Sequence, residues 1–295
     1  RISAVKFLFL YNPRAGTRRT PISEQLHAFV KRHGLHATIT PTTGPGHATQ
    51  LAAEAAHAGI DVVVAVGGDG TINETGRGLL GTDTALAIIP CGSGNGLARH
   101  LGVPMSCAAA LDSLLHSEPL LADVGRANGH PFFCAMGVGF DAAVVRRFNT
   151  LARRGLLAYV HASVREYFSY RAQPLAVRVD GAQVTRHVPQ FVTIANGSQF
   201  GNGATIAPRA RLDDGRLDLV VVRPLTLFNA APLACRLFTR TFDRSRHVTT
   251  ATGTRFVIER DQPDIMHVDG ELVATEARIE VEILPRSLKI WAPLG

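Results

Sequence analysis

The segment at positions 62–68, VVVAVGG, constrains the fold of this chain more than any other. Five apolar residues run without interruption and end at Gly67 and Gly68, and a helical pattern follows. A strand that is apolar on both faces is typical of a parallel sheet covered by helices. Strand, glycine-rich loop and helix return in the same order in TALAIIPCGSGNGLARHLG at positions 84–102. We therefore predict an α/β domain with a parallel sheet at the start of the chain.

The rest of the first half follows the same alternation. AVKFLFLYNP and HATITPTTG are predicted strands, and PISEQLHAFVKRHG, GHATQLAAEAAHAG and TINETGRGLL are predicted helices. Gly34 is the expected stop of the first of these helices. This region, residues 1–122, is the predicted nucleotide-binding domain.

The pattern changes after about Leu121, where short strands separated by turn residues predominate. The predicted strands are HPFFCAMGVGFD, PLAVRVDG, QFVTIANG, LDLVVVRP and ARIEVEILP, and the predicted helices are GLLAYVHASVREYFSY and LTLFNAAPLACRLFTRTF. We predict a β-rich, antiparallel second domain over residues 123–285. The last strand, SLKIWAP, could return to the first domain with residues 286–295.

Composition limits the class of protein. The 295 residues are 46% hydrophobic and 19% charged, as in soluble globular proteins, and no apolar run has the ~18 residues of a membrane span. Four cysteines without a C-x-x-C pair are expected to be reduced, in a cytoplasmic protein. The net charge of +7 favours phosphorylated ligands or anionic lipid. Without a run of like charges or a base-reading motif, we expect no nucleic-acid partner.

The two glycine-rich loops are candidate phosphate-binding sites. Backbone N–H groups at the start of a helix attract anions, and glycine lets the backbone approach a phosphate closely. Asp69 is then explained by a bound Mg²⁺, or by a role in holding the loop or a hydroxyl. A tight structural turn is the alternative interpretation. Neither loop has the spacing of a P-loop or of a dinucleotide-binding G-x-G-x-x-G fingerprint.

Six segments together resemble the diacylglycerol kinase catalytic domain family. They are NPRAG, GGDGTINE, PCGSGNGLAR, MGVGFDAAV, ANGSQFGNGATIAPRARLDDGRLDLVVV and HVDGE, in the family's order. That family includes bacterial lipid kinases and sphingosine and ceramide kinases, and it is distantly related to NAD kinases. The resemblance implies an antiparallel, sandwich-like second domain, ATP in a cleft between the domains, Mg²⁺, and a lipid hydroxyl as acceptor.

The resemblance also implies residue roles in binding nucleotide and metal. The metal would be held by the backbone carbonyls of Arg211 and Arg216 and by the carboxylate of Asp214, with Asp123 acting through water. A β-turn is the alternative for the 211–216 segment. Asn95-Gly96 departs from the Asn-Asp of bacterial diacylglycerol kinases and is closer to the sphingosine and ceramide kinase branch. The implied nucleotide-binding residues are Asn12, Thr42, Gly67, Gly68, Asp69, Gly70, Thr71, Ile72, Asn73 and Ser93.

The segment HVDGE resembles the family's catalytic Asp-Gly-Glu motif. In an extended strand, Asp269 and Glu271 would face the same side, so that one could act as the base and the other orient it. We favour Asp269 as the base, with Glu271 close behind. Asp-Gly is also a common hairpin signal, so a turn is the alternative. Among the twelve histidines, only His267 lies close enough to these acids to warrant a test.

The sequence therefore predicts a lipid kinase that uses ATP and Mg²⁺. The segment at positions 223–247 mixes Leu227, Phe228 and Phe238 with arginines, which suits peripheral binding to an anionic membrane surface. An ordinary packed helix is the alternative there, and a homodimer is left open. The competing functions are an NAD kinase-like enzyme with a soluble acceptor and a non-catalytic nucleotide-binding regulator.

Overall fold

The computed structural model describes residues 4–13, 21–151 and 155–293, without the side chains of Arg186 and His187. The chain divides into two compact units, Arg1–Ala122 with Arg286–Gly295, and Asp123–Pro285. We call them unit 1 and unit 2 and describe each separately. Part of the NPRAG segment, residues 14–16, lies outside the described residues.

Unit 1 is an α/β domain with a parallel sheet, as predicted. Its strands are β1 (Lys6–Tyr11), β2 (His36–Pro41), β3 (Val62–Gly67) and β4 (Ala85–Pro90), in the order β2-β1-β3-β4. All three pairings among them are parallel, so the carboxyl ends of these strands lie at one edge. The helices are α1 (Ile22–His33), α2 (His47–His57), α3 (Asp69–Leu79), α4 (Gly96–His100) and α5 (Cys107–Leu114).

Local sequence explains most of these elements. Every residue of β3 and of β4 is buried, which is the expected environment of a central parallel strand. Helix α1 ends where Gly34 adopts a φ of 59°, a left-handed conformation that glycine reaches without steric cost. Helix α5 was not predicted, although the Ser106 side chain accepts a hydrogen bond from the Ala109 N–H and caps it.

The described part of unit 2 contains two large antiparallel sheets and one short two-stranded sheet. The strand β5 (Ser117–Ala127) leads into it, and the first sheet has the order β14-β13-β10-β7-β16-β17. Its strands are β7 (Ala135–Gly139), β10 (Phe191–Ala195), β13 (Leu217–Val222), β14 (Val248–Gly253), β16 (Asp264–Val268) and β17 (Glu271–Thr275).

The second sheet of unit 2 pairs the first part of β18 (Arg278–Pro293) with β15 (Arg255–Arg260), then β8 (Leu175–Val179) and β9 (Ala182–His187). Shorter strands are β6 (His130–Phe132), which pairs with β5, and β11 (Gln199–Gly201) with β12 (Ala204–Thr205). Apolar side chains from both sheets form one core, including Met136, Ile194, Val177, Phe256 and Ile279. This arrangement confirms the predicted antiparallel, sandwich-like domain.

Among the described residues, three α-helices accompany the sheets of unit 2: α6 (Phe140–Asn149), α7 (Leu156–Ser169) and α8 (Leu227–Phe238). Helices α7 and α8 match the predicted segments, but α6 was missed because MGVGFDAAV was treated as the end of a strand. The predicted strands ARIEVEILP and SLKIWAP are one continuous strand, β18, whose last part lies parallel to β4 in unit 1. None of the described helices combines the length and the apolar character needed to cross a membrane.

Candidate active site

A polar pocket of about 470 Å³ lies in unit 1 near the carboxyl ends of β1, β2 and β3. It brings together Asn12, Thr42, Gly70 and Thr71, four of the residues predicted to bind nucleotide. Thr42 is held in place because its N–H donates to the carbonyl oxygen of Tyr11 at 2.8 Å. Ligands of open parallel sheets bind at this edge.

The start of α3 supplies hydrogen-bond donors to this pocket. Gly68 is the N-cap residue and has no side chain to accept from the first turn. The N–H groups of the first helical turn have no partner within a helix, and the helix dipole adds partial positive charge there. Gly70 and Thr71 belong to that turn and line the pocket, so the site suits an anion such as phosphate.

Asp69 joins the two glycine-rich loops. Its Oδ2 accepts from the Asn95 N–H and its Oδ1 from the Gly96 N–H, both at 2.9 Å. Asn95 itself has a φ of 51°, which turns the second loop back toward the first. These bonds hold the second loop, which is one of the roles considered for Asp69, and its role toward Mg²⁺ or a hydroxyl stays a prediction.

Glycine is required where the two loops approach each other. A Cβ on Gly92 would lie 2.7 Å from the Gly68 Cα, and a Cβ on Gly94 would lie 2.5 Å from the Asp69 Oδ2. Both distances are shorter than side chains tolerate against a fixed backbone or a bonded carboxylate. The glycine content of the second loop thus reflects loop-to-loop packing as well as any ligand.

Six of the ten residues in the predicted nucleotide set do not line the pocket: Gly67, Gly68 and Asp69, at the end of β3 and the start of α3, and also Ile72, Asn73 and Ser93. Ile72 is buried in the interior and its N–H donates to the Gly68 carbonyl oxygen, so its side chain packs rather than binds. Asn73 is buried, and its Nδ2 has no hydrogen-bond partner among the described residues. Ser93 is exposed in the second loop and does not line the pocket.

The pocket also contains residues that the sequence analysis did not name. They come from the loop after β2, from α2 and from α3: Thr43, Gly44, Pro45, Ala48 and Glu74. The Glu74 carboxylate accepts from the Ala48 N–H at 3.2 Å, which ties α3 to the start of α2. Glu74 could have been predicted to line the pocket from its position in GGDGTINE, because it lies one helical turn after Gly70.

In unit 2, the segment HVDGE is a hairpin turn, not an extended strand. Strands β16 and β17 pair Val268 with Glu271, and the two residues between them have φ values of 48° for Asp269 and 84° for Gly270. Positive φ at both positions is the type I′ geometry that Asp-Gly favours. The premise that Asp269 and Glu271 project from the same face of a strand is therefore wrong.

The Asp269 carboxylate is used for backbone hydrogen bonds. Its Oδ2 accepts from the Phe133 N–H at 2.7 Å, and its Oδ1 accepts from the N–H groups of Cys134 at 2.8 Å and Ala135 at 2.9 Å. Burial raises the pKa of Asp269, and the three donors and His267 act in the opposite direction. Glu271 begins β17, half-buried, on the other side of the turn.

His267 is a buried partner of an aspartate on α6. Its Nε2 lies 2.9 Å from the Asp141 Oδ2, which also accepts from the Thr193 hydroxyl at 2.9 Å. Both side chains of the pair are almost completely buried. A Cβ on Gly137 would overlap both, which explains the glycine in MGVGFDAAV.

An apolar cavity of about 490 Å³ lies in unit 2, among α6, α7 and α8. Its walls are mainly aliphatic and aromatic, with Val144, Tyr159, Phe191 and Phe242 among them, and Asp141 contributes a carboxylate. The volume is within the range of about 300–1,000 Å³ that is usual for small-molecule sites. Burial, reinforced by Asp141, raises the pKa of the Tyr159 phenol, so this tyrosine stays neutral.

The segment predicted to hold a metal is a tight loop on unit 2. The Gly215 N–H donates to the Asp123 Oδ2 at 2.7 Å, and the Arg216 N–H donates to the Asp214 Oδ1 at 3.0 Å. Burial, followed by the negative charge of Asp214, raises the pKa of Asp218. The negative charge of Asp214 therefore acts on Asp218, while Asp213 is paired with Arg211. No group of three or more acidic, histidine or cysteine side chains placed to bind a metal occurs in the described residues.

Comparison with known proteins covers both units. Residues 6–127 match the diacylglycerol kinase catalytic domain, and residues 134–292 match the YegS C-terminal NAD kinase beta sandwich-like domain. A probable YegS-like lipid kinase of Chromohalobacter salexigens is 35% identical over 202 residues, which is 67% of this chain but only 65% of that protein. The diacylglycerol kinase of Bacillus subtilis is 28% identical over 272 residues, which cover 89% of this chain and 88% of that kinase.

The solved structures agree with this assignment. A putative diacylglycerol kinase from Bacillus anthracis superposes with a TM-score of 0.80 at 25% identity, covering 97% of this chain and 96% of that one. With matches over both units and the same two-domain order, the chain belongs to the diacylglycerol kinase catalytic domain family, in the form that carries a YegS-type C-terminal domain.

Proposed function

We propose that this protein is an ATP- and Mg²⁺-dependent lipid kinase that transfers the γ-phosphoryl group of ATP to a lipid hydroxyl. Unit 1 is assigned the nucleotide and unit 2 the acceptor. The apolar cavity of unit 2 is the single observation on which the choice of a lipid as the acceptor rests.

The polar pocket of unit 1 supports the nucleotide half of the proposal. Its uncapped helix start offers N–H groups to a phosphate chain, and its glycines let that chain approach the backbone. The Glu74 carboxylate would repel a bare phosphate, but it suits the hydroxyls of a ribose or the cation of a MgATP complex.

The cavity of unit 2 suits an acyl chain. A soluble acceptor such as a dinucleotide would need many polar partners, whereas this cavity offers few. Burial of apolar surface contributes ~25 cal/mol per Å², so a long chain placed there would be held firmly without any directional contact.

Asp141 is the residue we assign to the polar end of the acceptor. Its Oδ2 is used by Thr193 and His267, while its Oδ1 has no hydrogen-bond partner among the described residues and the side chain lines the cavity. A carboxylate oxygen in an apolar wall favours a ligand that brings a hydroxyl or an ammonium donor.

We assign the base to Glu271, in preference to Asp269. A general base must give up its resting hydrogen bonds to take the hydroxyl proton, and this is costly when several buried backbone donors would lose their acceptor. Both Asp269 oxygens already accept from backbone N–H groups, so Asp269 is better suited to fixing the 133–135 segment against the turn. Glu271 is held at a fixed position by the hairpin register.

The 211–216 loop fits a divalent cation with oxygen ligands. Asp214 is exposed. Burial of Asp218, followed by the negative charge of Asp214, raises the pKa of Asp218. The carboxylate of Asp214 and the carbonyls of Arg211 and Arg216 would hold Mg²⁺ there, with Asp123 bracing the loop through Gly215. A bound Mg²⁺ would supply positive charge that steadies the loop.

The proposal is tested by supplying the protein with γ-labelled ATP, Mg²⁺ and single acceptors: a diacylglycerol, a sphingoid base, a ceramide and NAD. Labelled lipid, identified by mass, is the expected product. Ala230→Phe narrows the cavity on α8 and should raise KM for a long-chain acceptor more than KM for ATP. Label in NAD would favour the NAD kinase-like alternative, and ATP binding without transfer to any acceptor would favour a regulator.

A further inference from the structure

Helices α7 and α8 expose large apolar side chains around the mouth of the cavity. Six residues both line the cavity and are exposed to solvent, and we call them the rim: Leu156, Val160, Val164, Phe168, Leu227 and Phe238. Leu157 and Phe228 lie on the same helices outside the cavity and are 87% and 91% exposed. The cavity therefore opens to solvent through an apolar surface.

The exposed large apolar side chains are concentrated on α7 and α8. Eight of the eleven large apolar side chains that are exposed in the described residues belong to α7 and α8, and the others are Leu121, Val188 and Leu272. Single exposed apolar residues are ordinary, but a contiguous set around an opening marks a surface that binds something. Helix α8 has only one fully buried residue, Leu233, so core packing does not account for its apolar content.

The charges beside this surface are positive. Arg165, Arg223 and Arg240 are exposed and have no ion-pair partner among the described residues. From position 223 to 242 the sequence contains no Asp or Glu. The one acidic residue of α7, Glu166, is buried and bound to Arg147. A negatively charged partner is therefore favoured over a neutral or a positively charged one.

We propose that the rim, with Leu157 and Phe228, docks onto an anionic lipid bilayer, so that the cavity opens directly into the acyl layer. The inference rests on the proposed lipid acceptor, because it explains how such a molecule reaches the cavity without crossing water. A second copy of the chain is disfavoured as the occupant, since it would cover the opening through which the lipid must enter. Interfacial helices bind in this way through apolar insertion and basic flanks.

The test measures flotation of the full chain with phosphatidylcholine vesicles and with phosphatidylcholine–phosphatidylglycerol vesicles. The unmodified protein should bind the anionic vesicles, and binding should weaken with salt. In the double variant Leu157→Ser/Phe228→Ser, the partition coefficient should fall about tenfold or more, because two apolar side chains no longer insert. Removing one exposed arginine, as in Arg223→Gln, should lower the partition coefficient about fivefold, and only on anionic vesicles.

Leu121→Ser is the matched control, because Leu121 is 41% exposed but lies in unit 1. It should bind vesicles as the unmodified protein does, and thermal unfolding should show that all variants fold. Equal loss in the control and the double variant would overturn the proposal, as would no binding of the unmodified protein to anionic vesicles. A dimer that the double variant abolishes, without any vesicle binding, would instead identify a second copy as the occupant.

Activity separates this inference from the proposed function. With a short-chain acceptor dissolved as monomers, the double variant should turn over normally, while with acceptor in vesicles it should be slow. Vesicle binding by a protein that phosphorylates no lipid would leave the docking surface in place and remove the kinase proposal.

Discussion

Replacing Asp269 by Asn separates a structural role of this carboxylate from a chemical one. The substitution keeps size and shape, and Asn tolerates the positive φ of 48° at this position about as well as Asp. What changes is the pattern of acceptors: one oxygen becomes an NH₂ group, and the negative charge is lost.

The cost follows from the three backbone donors. Asn can keep its oxygen toward Cys134 and Ala135, but its NH₂ group would then face the Phe133 N–H, donor to donor. A buried N–H left without an acceptor costs ~1–3 kcal/mol, and the two remaining bonds lose the charge that made them about twice as strong. We expect a total loss of roughly 3 kcal/mol in the free energy of unfolding of unit 2, or about 6–12 °C in its unfolding midpoint.

Glu271→Gln is the comparison variant. It should lower the rate of phosphoryl transfer by ~10²–10⁴-fold, the usual contribution of a general base, with little change in the unfolding midpoint. Calorimetry on both variants, together with lipid phosphorylation at saturating ATP, distinguishes the two residues. If Asp269→Asn unfolds like the unmodified protein and yet transfers no phosphate, then Asp269 is the reacting base and the structural assignment is wrong.

Three further predictions concern the second glycine-rich loop of unit 1 and the region of Asp214 and Asp218 in unit 2. Gly92→Ala places a Cβ 2.7 Å from the Gly68 Cα and should lower the unfolding midpoint and weaken ATP binding about tenfold by calorimetric titration, whereas Gly44→Ala, whose Cβ would meet nothing within 4 Å, should leave the unfolding midpoint unchanged. The folded-state pKa of Asp218 is raised, so its contribution to stability is present below its unfolded pKa of about 3.9 and is lost as pH rises through the folded value. Asp218→Asn should therefore raise the unfolding midpoint at neutral pH and have no effect near pH ~3; a benefit that persists in acid would contradict this. Mg²⁺ should raise the midpoint of the unmodified protein without ATP, and Asp214→Asn should abolish that shift if the 211–216 loop is the binding site.

Local patterns were sufficient to predict the fold class. The uninterrupted apolar runs of β3 and β4, each followed by glycines and a helical period, specify parallel strands with covered faces, and these residues are all buried. The turn signals of the second half likewise predicted antiparallel strands. Such features depend on neighbours a few residues apart, and these are visible in the sequence alone.

The same reasoning failed where local signals compete. Asp269-Gly270 reads equally well as a motif on a strand and as a hairpin turn, and the pairing of Val268 with Glu271 selected the turn. Helix α6 was missed because the glycines of MGVGFDAAV hide its start, which follows Gly139 at a φ of 81°.

The amino-acid sequence was enough to predict the fold class of both units, the family and most of the candidate site residues. The packing of the folded chain decided which of these residues contact one another. Asp69 holds a loop 26 positions away, Asp269 binds backbone groups some 135 positions earlier, and α8 encloses one cavity with α6 and α7, which lie far from it in the chain. Contacts of that kind depend on how whole elements pack, which local periodicity does not encode, because the same residues would satisfy the same local pattern with other partners.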